Sequence, residues 1–245
     1  MKIVNQIPNT ITLMNLLCGA VGVIYAMNGR PDIAFYLMIA GAVFDFCDGF
    51  AARLLGANSE LGKQLDSLSD LVTFGVLPSI MLHQTMIQAG ITPEWLCYSP
   101  VIIAAFSAFR LAKFNIDERQ SENFLGLATP ACAMICGSFA YYVHTVENSV
   151  LSTWVATVWF IPVCALILSL LLISEIPMFS MKFKKNMKGG TPIHRMRISF
   201  VAVVVVATLL VILLGLNWSM IVLLVFTSYI VMNVGNYLIF RRKSI

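Results

Sequence analysis

The stretch ISFVAVVVVATLLVILLGLNWSMIVLLVFTSYIVMNVGNYLIF, residues 198–240, holds no Asp, Glu, Lys or Arg in 43 positions. An α-helix rises 1.5 Å per residue, so about 20 apolar residues cross a hydrocarbon core of about 30 Å. The run is too long for one crossing, and Asn217 near its middle marks a turn. It therefore reads as two membrane-spanning helices. The rest of the chain has the same character: of 245 residues, 59% are hydrophobic and 11% charged, and the mean hydropathy is +0.85. A water-facing surface carries about 25% charged residues, so the soluble, disordered, coiled-coil and disulfide-stapled classes fit poorly. The composition predicts an all-α polytopic membrane bundle, with residues 1–245 forming one domain.

Working back from that run, charged and turn-forming clusters divide the chain into six earlier spans at about 11–28, 33–54, 62–90, 95–113, 127–146 and 150–173, giving eight in all. Asn28-Gly29-Arg30-Pro31 has turn chemistry after the first. The basic residues supply a separate check, because Lys and Arg concentrate in loops on the cytoplasmic side. Lys2, Arg53, Lys63, Arg110, Lys113, Arg119, the six between Lys182 and Arg197, and Arg241 to Lys243 fall on one side, and only Arg30 on the other. Fifteen of the 16 basic residues thus share a side. That side is assigned to the cytoplasm, together with both termini. The net charge of +4 then needs no nucleic-acid partner. The Lys182 to Arg197 cluster reads as a contact for anionic lipid. Lys2 alone precedes the first apolar run and no small-residue cleavage site follows, so that segment is expected to stay. The six cysteines lie in apolar stretches without metal-ligand spacing and read as reduced core residues. His83, His144 and His194 are scattered and read as structural or solvated.

The chemistry is concentrated at the ends of the second and third spans. Asp45 and Asp48 are spaced i,i+3, and Asp66 and Asp70 i,i+4, so each pair lines one helix face with side chains about 5–6 Å apart. Single carboxylates near helix ends often reach water, but four on two consecutive spans form a set. If the hairpin brings the faces together, four like charges converge and call for cations. Oxygen ligands in that number suit Mg²⁺ or Mn²⁺, with Ca²⁺ an alternative. Two such ions about 4 Å apart would clamp a displacement at phosphorus. Gly49 inside a helix costs about 1 kcal/mol relative to Ala, which points to close approach by a ligand. Ala52 and Arg53 follow on that face, and Gly62 stands one turn before Asp66. Arg53 can offer a two-pronged contact to phosphate. Rossmann, P-loop and Ser-His-Asp patterns are absent. A carboxylate-lined cation path, as in a transporter, is the non-enzymatic alternative; acidic residues clustered at one end of two spans favour it less.

The stretch DFCDGFAARLLGANSELGKQLDSLSD, 45–70, resembles the CDP-alcohol phosphatidyltransferase signature D-x-x-D-G-x-x-A-R, eight residues, G-x-x-x-D-x-x-x-D. Asp45, Asp48, Gly49, Ala52, Arg53, Gly62, Asp66 and Asp70 fill every position. IPNTITLMNLLCG at 7–19, RLAKFN at 110–115 and SEIPMFSMKFK at 174–184 resemble the phosphatidylserine synthase branch, over about 1–185 in all. One departure is GLATP at 126–130, where Ala128 replaces the proline of G-L-P-x-P and puts the loop geometry in question. The resemblance implies transfer of a phosphatidyl group from CDP-diacylglycerol to the hydroxyl of L-serine with release of CMP. Siblings using glycerol 3-phosphate or inositol phosphate are the alternative. It further implies two divalent metals on the four Asp, Asp70 as general base, and a nucleotide seat of Asn9, Thr12, Asp48, Gly49, Ala52, Arg53 and Gly62. Arg110, Lys113 and Asn15 become contacts for the acceptor or the lipid phosphate. For Asn9 and Thr12 the alternative is capping of the first helix, and for Arg110 and Lys113 it is the positive-inside bias alone. A homodimer in the inner (cytoplasmic) membrane, with its site facing the cytoplasm, completes the expectation. Residues 198–240 form a C-terminal addition without a chemical role legible in the sequence.

Overall fold

The computed structural model describes residues 6–57, 59–117, 124–179 and 192–243, the last with side chains for 196–239. Its helices are α1 (Gln6–Met27), α2 (Pro31–Leu55), α3 (Glu60–Asp70), α4 (Leu77–Gln88), α5 (Ile102–Ile116), α6 (Thr129–Thr145), α7 (Val150–Val155), α8 (Phe160–Ile173), α9 (Pro192–Leu213) and α10 (Ser219–Lys243). Two-residue strands β1 (Phe124–Leu125) and β2 (Pro177–Met178) form an antiparallel pair. Most of the other described residues are helical. A π-helical turn at Leu71–Val76 joins α3 to α4, and a 3₁₀ segment at Glu94–Val101 leads into α5. Among the described residues, six helices are long and apolar enough to cross a membrane: Gln6–Met27, Pro31–Leu55, Glu60–Gln88, Glu94–Ile116, Met196–Leu213 and Ser219–Ile239. The other two predicted spans correspond to shorter elements.

The segment at 150–173 is not one helix. It breaks between α7 and α8, and the cause is Pro162. Proline inside a helix clashes with the carbonyl four residues back and lacks an N–H, but fits the first turn. A helix restarting at Phe160 puts Pro162 in that turn. The first span also begins earlier than predicted, at Gln6 rather than 11, so Asn9 and Thr12 lie inside α1 and do not cap it.

Packing places α6 at the centre, with residues from Thr129 to Tyr142 buried almost without interruption. Large apolar side chains on the outside, such as Ile24, Phe46, Leu54, Val163 and Leu213, are exposed, as a bundle facing lipid rather than water requires. At one end, Lys63 Nζ donates to Asn115 O (2.9 Å), and Asn115 Nδ2 donates to Ser67 Oγ (2.8 Å). Arg53, Lys63, Arg110 and Lys113 gather at this end. At the opposite end, Gln84 Nε2 donates to Met27 O (3.1 Å), and Arg30 makes a two-pronged contact with Asp32 (2.9 and 2.8 Å). The charge asymmetry read from the sequence is thus spatial for Arg30, Arg53, Lys63, Arg110 and Lys113; Lys2, Arg119, residues 182–191 and the side chains of Arg195 and Arg241 to Lys243 lie outside the described parts. Asn217 does turn the chain between α9 and α10, its Oδ1 accepting from Ser219 N (3.0 Å). Trp218 then anchors the α9–α10 hairpin among Phe35, Tyr36 and Tyr141, with ring centroids 5.2–5.8 Å apart.

Candidate active site

The carboxylates meet because α2 and α3 are joined by a tight turn. Gly56 adopts a left-handed conformation (φ 60°), with its N–H on Ala52 O, and ends α2 as a C-terminal glycine commonly does. Ser59 opens α3 by accepting from Gly62 N (3.0 Å). One carboxylate oxygen each from Asp45, Asp48 and Asp66 then lies within 4.8 Å of the others. Asp48 is only 5% exposed, and its Oδ2 has no hydrogen-bond partner. A buried carboxylate oxygen left without a donor is costly. Three carboxylates around a common point, with one such oxygen among them, match the donor set that a hard divalent cation takes.

Asp70, one turn further along α3, adjoins Asp45 but is not one of the three carboxylates that lie within 4.8 Å of one another. Asn15 of α1, fully buried, donates from Nδ2 to Asp70 Oδ1 at 3.1 Å. The π turn begins at the next residue, and Thr73 within it donates from Oγ1 to Asn15 O (3.0 Å). Two glycines permit this approach. A Cβ on Gly19 would stand 2.8 Å from Thr73 Cα, and one on Gly41 would stand 2.6 Å from Thr73 Cγ2 and 2.9 Å from Asn15 Oδ1. Gly41→Ile should therefore force α2 away from α1 and the π turn. Overpacking of that kind costs about 1–3 kcal/mol, and the expected result is a lower melting temperature in detergent. Gly49 is different, since its Cβ would meet only Arg53 Nη1, at 3.8 Å. Gly49→Leu should leave the melting temperature unchanged and obstruct the open space in front of α2.

That space is a cleft of about 590 Å³, lined by Pro8, Asn9, Thr12, Asp45, Asp48, Gly49, Ala52, Ala57, Ser59, Glu60, Gly62, Lys63 and Asp66. The structure brings Asn9, Thr12, Asp45, Asp48, Gly49, Ala52, Gly62 and Asp66 together here. Arg53 is exposed and not part of this lining, and Asp70 and Asn15 lie deeper. Gly62 proves to have a structural reason, since a Cβ there would press on Ser59 Oγ (3.0 Å) and Asn9 Oδ1 (3.1 Å). Pro8, Ala57, Ser59, Glu60 and Lys63 were not anticipated. Ser59 carried a usable signal, a serine just before a helical pattern.

Arg110 and Lys113 lie away from the cleft, on α5. Arg110 is buried, donates from Nη1 to Thr129 Oγ1 (2.9 Å), and keeps Nε without a hydrogen-bond partner. Lys113 Nζ stands 3.6 Å from Glu175 Oε1. Ala128, where proline was expected, has φ −66°. That is the value proline itself would impose, so the substitution leaves the loop's backbone geometry in place.

The CDP-alcohol phosphatidyltransferase family model matches residues 5–170, which carry the carboxylates, the cleft, Asn15 and Arg110. The chain belongs to this family. Among curated relatives, the CDP-diacylglycerol--serine O-phosphatidyltransferase of Mycobacterium leprae (strain TN) is 33% identical over 184 residues, 71% of this chain and 58% of the relative. The enzyme of the same name from Bacillus subtilis (strain 168) is 35% identical over 139 residues, 56% of this chain and 77% of the relative. The archaetidylserine synthase of Methanothermobacter thermautotrophicus is 30% identical over 135 residues, covering 54% and 57%. The chain thus spans little more than half the length of some relatives. Within the CDP-alcohol phosphatidyltransferase match, the eight signature residues fall on the α2–α3 hairpin, while the end of α8, β2, α9 and α10 lie beyond it.

The histidine and cysteine expectations hold in part. His83 is buried, with Nδ1 2.7 Å from Cys97 O, which is structural. His144 approaches Asp32 at 3.8 Å at the end opposite the cleft, and the side chain of His194 lies outside the described residues. All six cysteines are free; Cys97, Cys132 and Cys136 are buried and Cys18 and Cys164 half-buried. Cys47 is exposed and not a core residue, because it projects from α2 away from the face that carries Asp45 and Asp48.

Proposed function

We propose that this chain transfers the phosphatidyl group of CDP-diacylglycerol to the hydroxyl of L-serine, giving phosphatidylserine and CMP. The observation that carries the reading is the convergence of Asp45, Asp48 and Asp66 beside the cleft, in a chain whose relatives bear the name of that reaction. Asp45, Asp48, Asp66 and Asp70 are the candidate ligands of two divalent cations, Mg²⁺ or Mn²⁺, and the unpartnered Asp48 Oδ2 fits that role. When bound, such cations supply charge neutralisation to the pyrophosphate.

The chain's own residues do the rest. Gly49 and Ala52 leave room for the nucleotide against α2, while Asn9 and Thr12 offer it polar groups from α1 and Arg53 reaches it from the rim. Asn15 orients Asp70 through Oδ1, and the Asp70 carboxylate takes the proton from the serine hydroxyl. The serine oxygen then bonds to the phosphorus that bears diacylglycerol, the phosphoanhydride bond breaks, and CMP departs with the electron pair. Arg110, with its free Nε, and Lys113 are the candidates for the serine carboxylate or the lipid phosphate. Eight membrane crossings, both termini and the site on the cytoplasmic side of the inner membrane, and assembly as a homodimer belong to the same proposal. The basic residues at the cleft end support the orientation.

The sibling reading differs only in its acceptor. Purified chain in detergent micelles, given CDP-diacylglycerol and Mn²⁺, is expected to form phosphatidylserine when L-serine is added, and no lipid product with glycerol 3-phosphate or inositol phosphate. A product with one of those alone would keep the family and discard serine. Ion flux through proteoliposomes without CDP-lipid would favour the transporter.

A further inference from the structure

The C-terminal hairpin of α9 and α10 lies beyond the family match, yet it reaches the segment that supports Arg110 and Lys113. Phe179, just after β2, is the point of contact. Its backbone N–H donates to Asn233 Oδ1 (2.9 Å), and its carbonyl accepts from Tyr229 Oη (3.1 Å), both on α10. Asn233, 1% exposed, completes the arrangement by donating from Nδ2 to Tyr229 O (2.8 Å). The Phe179 ring packs edge-on against Tyr229 (5.1 Å) and against Phe200 of α9 (5.6 Å). Non-helical backbone inside a membrane protein must find partners within the protein, and here both polar groups of one residue are satisfied by two side chains of one helix.

The clamp passes through the small sheet. Met178 pairs with Phe124 and Pro177 with Leu125. Gly126 N donates to Ile176 O (3.0 Å), and Leu127 N to Leu171 O (2.9 Å). Gly126 has φ +75°, and a Cβ there would lie 2.7 Å from the carbonyl oxygens of Leu172 and Ser174, so only glycine allows the two segments this close. Thr129, which receives Arg110, begins α6 four residues after Leu125, and Glu175, which faces Lys113, stands two residues before Pro177. Each basic residue on α5 is therefore held from a segment that the sheet joins, and α10 fastens the sheet.

We propose that the α9–α10 hairpin positions the acceptor side of the site, with Asn233 and Tyr229 as positioning residues that act through Phe179 on Arg110 and Lys113. The inference rests on the reading of those two cations as acceptor contacts.

Steady-state CMP release by the full chain in micelles tests it, with serine and CDP-diacylglycerol varied separately. Tyr229→Phe keeps the ring cluster and removes one hydrogen bond, and should raise KM for serine roughly five- to tenfold, with KM for CDP-diacylglycerol within about twofold. Asn233→Leu should raise KM for serine further. Asn233→Asp carries one donor and one acceptor, as Asn does here, only when protonated, and its KM for serine should approach that of the unaltered chain as the pH is lowered. Amide hydrogen exchange across 124–129 should quicken in Tyr229→Phe and Asn233→Leu, a readout independent of turnover. Unchanged kinetics in Tyr229→Phe and Asn233→Leu, or parallel loss for both substrates with a lower melting temperature, would overturn the proposal and leave the hairpin a structural addition. Absence of serine-dependent release by the unaltered chain would instead remove the reading on which it rests.

Discussion

Asp66→Asn should lower serine-dependent CMP release by about 10³-fold or more, the order lost when a charged group at a reacting centre is removed, while making the metal-free protein no less stable. The substitution preserves shape and deletes one charge from a group of three carboxylates within 4.8 Å. Without a cation those charges repel one another in a partly desolvated setting. Removing one relieves the repulsion and also removes a ligand. The expected signature is therefore a dissociation: melting temperature in chelator equal to or above that of the unaltered chain, and a raised Mn²⁺ concentration for half-maximal turnover, if any turnover remains. Asp45→Asn should behave alike. Normal CMP release in either variant would contradict the metal assignment.

Asp70→Asn should act by a different route. A general base contributes about 10²–10⁴ to rate, and the loss should fall on kcat, with both KM values little changed. Asp70 adjoins Asp45 at the edge of the group of three and is bound by Asn15 at 3.1 Å, so, with Asp70 a ligand that is also the base, Asp70→Asn should shift the Mn²⁺ requirement less than Asp66→Asn does. Asn15→Leu removes the donor that orients Asp70 and should lower kcat in the same sense but by less. A charge-assisted hydrogen bond of this kind is worth about 1.5–3 kcal/mol, which sets the upper scale of that effect. An equal shift of the Mn²⁺ requirement in Asp70→Asn and Asp66→Asn would make Asp70 a ligand first and the base elsewhere.

These expectations were legible in the sequence to different degrees, for physical reasons. Helical periodicity put Asp45 with Asp48 and Asp66 with Asp70 on common faces, and the Gly56 turn completed the convergence. The 43-residue uncharged run required two helices, and α9 and α10 are there. What escaped the reading depended on contacts between distant positions. Asn15 and Asp70 are 55 residues apart, and the π turn that admits their contact leaves no periodic mark in Leu71–Val76. The Phe179 clamp likewise joins residues 50 and 54 apart, and Asn233 sits in a helix apolar nearly all round. The break before α8 has a mark in the sequence, since Pro162 is costly in mid-helix and fits a first turn. Arg53 was placed on the ligand face by spacing, and the structure leaves it exposed at the rim because α2 ends within a turn of it.

The most direct test is serine-dependent CMP release by the purified chain, measured in one sample with Mn²⁺, after excess EDTA, and after Mn²⁺ is restored. Release that stops with EDTA and returns with Mn²⁺ is expected from a serine phosphatidyltransferase built on the Asp45, Asp48 and Asp66 cluster. Undiminished release in EDTA would contradict the metal centre, and no release with serine under any of the three conditions would contradict the proposed reaction.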